Sequence, residues 1–167
     1  RVSQMSSLVV PMMRCPIFQG LDIELLGAIA GIAERVTAPQ GHVIARAGEP
    51  AEGAILIVNG SARSMRSGLT QAVERKIEAG ALIGELAMLV ETTFAATVTA
   101  DTPLRLMKIA RADLYRLMHE EGKIAAHFAG KIGERLQSLV SEVRQIEAGI
   151  GSRRSKSADV LPVTGPS

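Results

Sequence analysis

The sequence predicts a mainly β fold, an eight-stranded roll of the double-stranded β-helix or jelly-roll type with helices at both ends. Between about residues 36 and 109, short apolar stretches of four to eight residues alternate with turn signals, which is strand texture. Gly41, Gly48, Gly60, Gly68 and Gly80, helped by Pro39, Pro50 and Asn59, fall at the corners. On either side of this region the apolar spacing changes to the three-and-four pattern of helices. Strands this short and numerous hide their edges best by closing on one another.

In chain order, residues 1–15 read as an N-terminal helical segment, with Pro11 and Pro16 interrupting helical turns by short loops over 5–20. Asp22 then caps a helix, since its carboxylate accepts first-turn N–H groups, and Ile23, Leu26, Ile29, Ala30 and Ala33 form its buried face up to about Glu34. The main domain is expected over 16–147. Its strands lie at Val43-Ile44, Ile55 to Val58, Ala62 to Arg66, Ala72 to Ile77, Ala95 to Ala100 and Leu104 to Ile109. One helical turn at Gly84 to Val90 breaks the series. The last strand alternates imperfectly, which predicts burial on both faces. Two C-terminal helices fill 110–147: one with Leu114, Leu117 and Met118 on one face and ending at Gly122, and a second from about Lys123 to Glu147. Residues 148–167, rich in Gly, Ser and Pro, read as a flexible tail.

Composition excludes several classes. The chain has 167 residues, 47% apolar and 22% charged, which suits one folded domain with appendages rather than a disordered polymer. Its 19 basic residues are interspersed with 17 acidic ones, too even a balance to predict a nucleic-acid partner. Cys15 is the single cysteine, so there is no internal disulfide or multi-cysteine metal site, and a reducing, cytoplasmic setting fits. No apolar run reaches the ~18 residues of a membrane helix, and residues 7–13 lack the flanks of a signal peptide. Leu161 to Gly165 spells a sortase-type anchoring motif without the apolar stretch that should follow it, so it is read as coincidence or an appended tag. The three histidines, His42, His119 and His127, sit in different elements. No nucleophile elbow, P-loop or metal-ligand spacing occurs. No catalysis and no cofactor are predicted.

The residues that carry chemistry are Gly84 to Ala100. A short helix inside a β roll aims its unpaired first-turn N–H groups at one spot, a natural phosphate cradle. Gly84 lets a ligand approach the backbone, and Glu85 can accept hydrogen bonds from a sugar hydroxyl.

This run resembles the phosphate-binding cassette of the cyclic nucleotide-binding domains of kinase regulatory subunits, bacterial cAMP receptor regulators and gated channels. That cassette reads approximately Phe-Gly-Glu-Leu-Ala-Leu, some variable positions, then Pro-Arg-Ala-Ala-Thr-Val. Gly84, Glu85, Leu86, Ala87, Ala95, Ala96, Thr97 and Val98 match it without a gap, and Gly41, Gly48, Pro50 and Gly60 match the turns upstream. The resemblance extends over about Pro16 to Arg144 and implies a ligand site at Gly84, Glu85, Leu86, Ala87, Phe94, Ala95, Ala96 and Thr97. It also exposes a departure. The arginine that grips the cyclic phosphate falls on Phe94, and the proline before it on Thr93. Two charge-assisted hydrogen bonds at about 1.5 to 3 kcal/mol each put the loss at roughly 3 to 5 kcal/mol, on the order of a hundred- to thousandfold or more in affinity. An aromatic ring beside the cradle can also fill it. Arg46, Arg63, Arg66 and Arg75 on the early strands are the available substitute cations.

Three functions follow. In the first, the domain has lost or strongly weakened cAMP and cGMP binding and serves as a regulatory or interaction module with an unidentified protein partner. In the second, it is a sensor that binds cAMP weakly, or another ligand, and signals through its C-terminal helix. In the third, it is a fragment of a cAMP-receptor-type transcription regulator or gated channel. Ala125, Ala129, Ile132, Leu136, Leu139, Val143 and Ile146 alternate by four and three, a seam for another helix. The resemblance implies a homodimer through it; covering the chain's own roll is the alternative.

Overall fold

The computed structural model describes residues 2–160, with side chains over 8–149, so the motif at 161–165 lies outside the described residues. The chain divides into two compact units, Arg1–His127 and Phe128–Ser167. The first opens with helix α1 (Val2–Met13), a 3-10 turn (Pro16–Phe18) and helix α2 (Ile23–Ile32). Strands β1 (Glu34–Ala38), β2 (Val43–Ala45), β3 (Pro50–Ala51), β4 (Gly53–Asn59), β5 (Ser61–Ser67), β6 (Ala72–Glu78) and β7 (Leu82–Ile83) follow. A second 3-10 turn (Glu85–Met88) precedes β8 (Thr92–Thr93), β9 (Thr97–Ala100), β10 (Leu104–Ala110) and helix α3 (Arg111–Glu120). Helix α4 (Gly122–Val160) begins in the first unit and supplies the described part of the second.

Two four-stranded sheets, in the orders β1-β10-β4-β7 and β2-β9-β5-β6, form the roll, and β3 pairs with β8 as a separate ribbon. Eight of the ten strands among the described residues make up these two sheets, the number the sequence predicts, although the sequence reading does not place β7 among them. Their facing surfaces bury Ala38, Ile55, Ile57, Leu104 and Leu106 from one sheet against Ala45, Ala62, Val98 and Ala100 from the other. With no Trp and few aromatics, alanines on the second sheet give the aliphatic side chains of the first their room. The outer faces of β4 and β10 are buried too: Ala54, Leu56, Met107 and Ile109 are closed off where α1, α2 and α3 pack on these strands. This is the two-sided burial that the last strand's broken alternation predicts. Strand β6, by contrast, is an edge whose Glu74, Arg75 and Lys76 are exposed, a charged rim that discourages pairing with other chains.

The local expectations fare unevenly. Asp22 caps α2, its carboxylate accepting from the Leu25 N–H at 2.9 Å. Ile23, expected in the buried face, is exposed because it is the first helical residue, outside the packed turns. The interrupted turns expected near Pro11 are one continuous helix: Leu8, Val9 and Met12 are buried, and that packing outweighs the single backbone donor that Pro11 lacks. Strand β9 begins at Thr97 rather than Ala95, since Ala95 and Ala96 form a bend. Helix α4 continues to Val160, past Glu147, where the sequence reading begins a tail.

Candidate functional site

The turn at 85–88 is positioned from both sides by the roll. Strand β7 lies beside β4, with Ile83 opposite Ile55, and delivers the chain to Gly84. Gly84 is left-handed (φ 68°, ψ 41°), a conformation that costs a side-chain-bearing residue about 1 to 2 kcal/mol. The chain can therefore turn sharply there, and the Ala87 N–H closes on the Gly84 carbonyl at 2.9 Å. Ala87 and Met88 are fully buried and anchor the turn; Leu86 is exposed and Glu85 half-buried.

Phe94 is brought directly to this corner. Its N–H donates to the Glu49 carbonyl at 3.0 Å and its carbonyl accepts from the Gly48 N–H at 2.9 Å, extending the β3–β8 ribbon. Its ring packs on the roll's interior and stands over Gly84: a Cβ at that glycine would lie 3.1 Å from Phe94 Cε1. Ala95 and Ala96 bend away, and Thr97 enters β9, where its Oγ1 accepts from the Ala47 N–H at 3.1 Å. All eight residues singled out in the sequence thus lie on one turn and the strand-entry segment beside it, and of these Phe94 meets Gly84 by side-chain contact.

The substitute cations sort into two groups. Arg63 is committed, 2.7 Å from Asp101 and 3.0 Å from Glu74. Arg66 and Arg75 lie by strand alternation on the same face as Ala62 and Ile77, which is the roll's inner side, and neither has an ion pair among the described residues. Arg46 is exposed in the turn between β2 and β3.

Two residues that the sequence reading did not single out hold the other end of the turn. Arg111 Nη1 lies 2.8 Å from the Ala87 carbonyl and 3.1 Å from those of Val90 and Ala51, and the Tyr115 hydroxyl donates to the Leu89 carbonyl. A signal was available. An arginine in a helix's first turn opposes the helix dipole, and a tyrosine four residues on shares its face, so both side chains are placed to serve another element. Cys15 sits nearby, its Sγ 3.4 Å from the Gly80 carbonyl. Burial, with the Glu85 carboxylate adding to it, pushes this thiol up to about 11, so it is an inert core group rather than a nucleophile.

Among the described residues no cluster of His, Cys, Asp and Glu is arranged to hold a metal ion, and no helix is long and apolar enough to cross a membrane. His127 Nε2 lies 2.8 Å from the Ile17 carbonyl, a contact that ties the start of α4 to the first 3-10 turn.

The family model for the cyclic nucleotide-binding domain matches residues 35–121, which span the roll and α3. A cyclic nucleotide-gated potassium channel of Mesorhizobium japonicum is 32% identical over 128 residues, 75% of this chain and 34% of the channel, so the chain spans about a third of that relative. The regulatory domain of Toxoplasma gondii PKA, solved with cAMP, superposes with a TM-score of 0.61 at 27% identity, over 80% of this chain and 51% of that one. The N-terminal domain of a transcriptional regulator from Streptomyces coelicolor has the same fold, with a TM-score of 0.71 at 22% identity over 77% of this chain and 93% of that one.

Proposed function

The chain belongs to the cyclic nucleotide-binding domain family, and we propose that within it this chain is a non-enzymatic regulatory or interaction module whose affinity for cyclic nucleotides is lost or strongly weakened. One observation carries the reading: the Phe94 ring stands over Gly84 at the cassette position where the family pattern places arginine. A cradle for a cyclic phosphate needs a cation, and the N–H groups of one short turn supply only partial charge. Here the residue that should bring the cation brings an apolar ring, so ligand entry would also have to displace the ring from its packing. cAMP is then at most a weak ligand, and the lone cysteine fits a cytoplasmic setting. Its relatives include a cyclic nucleotide-gated potassium channel and a PKA regulatory domain, which favours a regulatory role within a larger assembly.

Calorimetry with cAMP on the wild type and on Phe94→Arg, alone and with Thr93→Pro, tests the proposal. Wild type is expected to give no saturable binding below millimolar nucleotide, and the arginine variant to gain on the order of a hundred- to thousandfold. Micromolar binding by the wild type would overturn it. That outcome would favour the second reading, a working sensor, for which Arg66 and Arg75 on the inner face are the cations to remove next.

The partner surface we assign to α4. Ile132, Leu136, Leu139, Val143 and Ile146 keep the four-three alternation and are 41–60% exposed, an apolar seam that a second copy would cover by knobs-into-holes packing. Sedimentation equilibrium is expected to give a dimer that Leu136→Glu with Leu139→Glu dissociates; a wild type that stays monomeric at tens of micromolar removes the idea.

A further inference from the structure

Bordering the cassette corner there is a cleft of about 290 Å³, whose lining includes Phe94 and not Gly84. Ile44 and Ile55 form its apolar side, and Glu34, Glu52 and Lys108 bring charge to it. Strand pairing explains the juxtaposition. Glu34 is opposite Lys108, and Lys108 opposite Ile55, so these three form one row across the inner face of the first sheet at the end of the roll. Asp113 also lines the cleft but is engaged by Arg116. Glu34, Glu52 and Lys108 have no ion pair among the described residues. Two carboxylates against one ammonium leave the cleft net negative, and the Phe94 ring adds apolar surface beside that charge.

We propose that this cleft binds a small organic cation with an apolar body, an amine of the arylalkyl type, and that Phe94 is its wall. The substitution that takes a cation from the phosphate cradle thereby gives the neighbouring space an aromatic surface suited to the opposite charge. The volume lies at the small end of ligand pockets, enough for a single ring with a short amine arm. The apolar body would lie on Phe94, Ile44 and Ile55, and the ammonium would face Glu34 and Glu52, with Lys108 as the opposing charge.

The test is calorimetry on the whole chain with 2-phenylethylamine, against 2-phenylethanol and phenylacetate as neutral and anionic counterparts of the same shape. The amine is expected to bind best and to weaken as salt is raised. Glu34→Gln and Glu52→Gln are each expected to cost about two- to fivefold, Phe94→Leu about two- to fivefold, and Lys108→Met to strengthen binding severalfold. Glu34 and Glu52 are exposed, so their variants will fold even if Phe94→Leu does not. Equal or better binding of phenylacetate, indifference to both glutamine variants, or no amine binding at millimolar concentration would overturn the assignment. Titrating cAMP alongside keeps the two claims apart: a cAMP site would count against the lost cradle and leave the amine result standing.

Discussion

The two ends of the cassette turn differ in what holds them. At its far end the carbonyls of Ala87, Leu89 and Val90 are taken up by Arg111 and Tyr115 from the first turns of α3. At its near end the space over Gly84 is met by the Phe94 ring, and Glu85 has no ion pair among the described residues. The far end is structural: it satisfies backbone acceptors that a short turn leaves open, and it joins the cassette to the helix that follows. The near end is where ligand chemistry would act. A substitution at the near end can therefore remove binding while the turn keeps its shape, which is how a cassette pattern survives in the sequence without its cation.

Removing the far-end anchor should have the largest effect on stability. Nη1 of Arg111 carries two protons shared among three carbonyls, so about two charge-assisted hydrogen bonds are at stake. Arg111→Ala is expected to cost about 3 kcal/mol in urea unfolding and to speed amide exchange across residues 86–90. Arg63→Ala, which breaks only solvent-screened ion pairs, should shift the unfolding midpoint far less than Arg111→Ala does. If the two variants cost the same, the distinction between an anchored end and a bare end fails.

How much of this was legible beforehand follows the range of each interaction. The glycine-marked corners and the Asp22 cap are local, and the sequence displays them. The cassette match located the turn within Gly84 to Val90, where the structure has it at Glu85–Met88, and set Phe94 beside it, because both lie within one short, gap-free stretch. Strands β3, β7 and β8 escaped notice: each has two residues, and two residues carry no period. The role of Arg111 escaped for another reason. Its acceptors are backbone carbonyls on β3 and on the cassette turn, and backbone groups leave no mark in a sequence. The cleft bounded by Glu34, Glu52, Lys108 and Phe94 is assembled from four strands or their edges through antiparallel register, which composition does not reveal.

A smaller effect sharpens the comparison at the near end. Gly84→Ala forces an alanine into a left-handed conformation and also sets its Cβ 3.1 Å from the Phe94 ring. The backbone part, about 1 to 2 kcal/mol, depends on the glycine alone. The steric part depends on the ring being where it is. In a Phe94→Leu background the branched side chain is shorter and can withdraw, so Gly84→Ala should cost about 0.5 to 1 kcal/mol less than in the wild type, a coupling typical of residues in contact. Chemical denaturation of the two single variants and the double variant measures that difference directly. Costs that simply add would mean that the ring does not rest on Gly84, and that an empty cradle rather than a filled one lies behind any failure to bind.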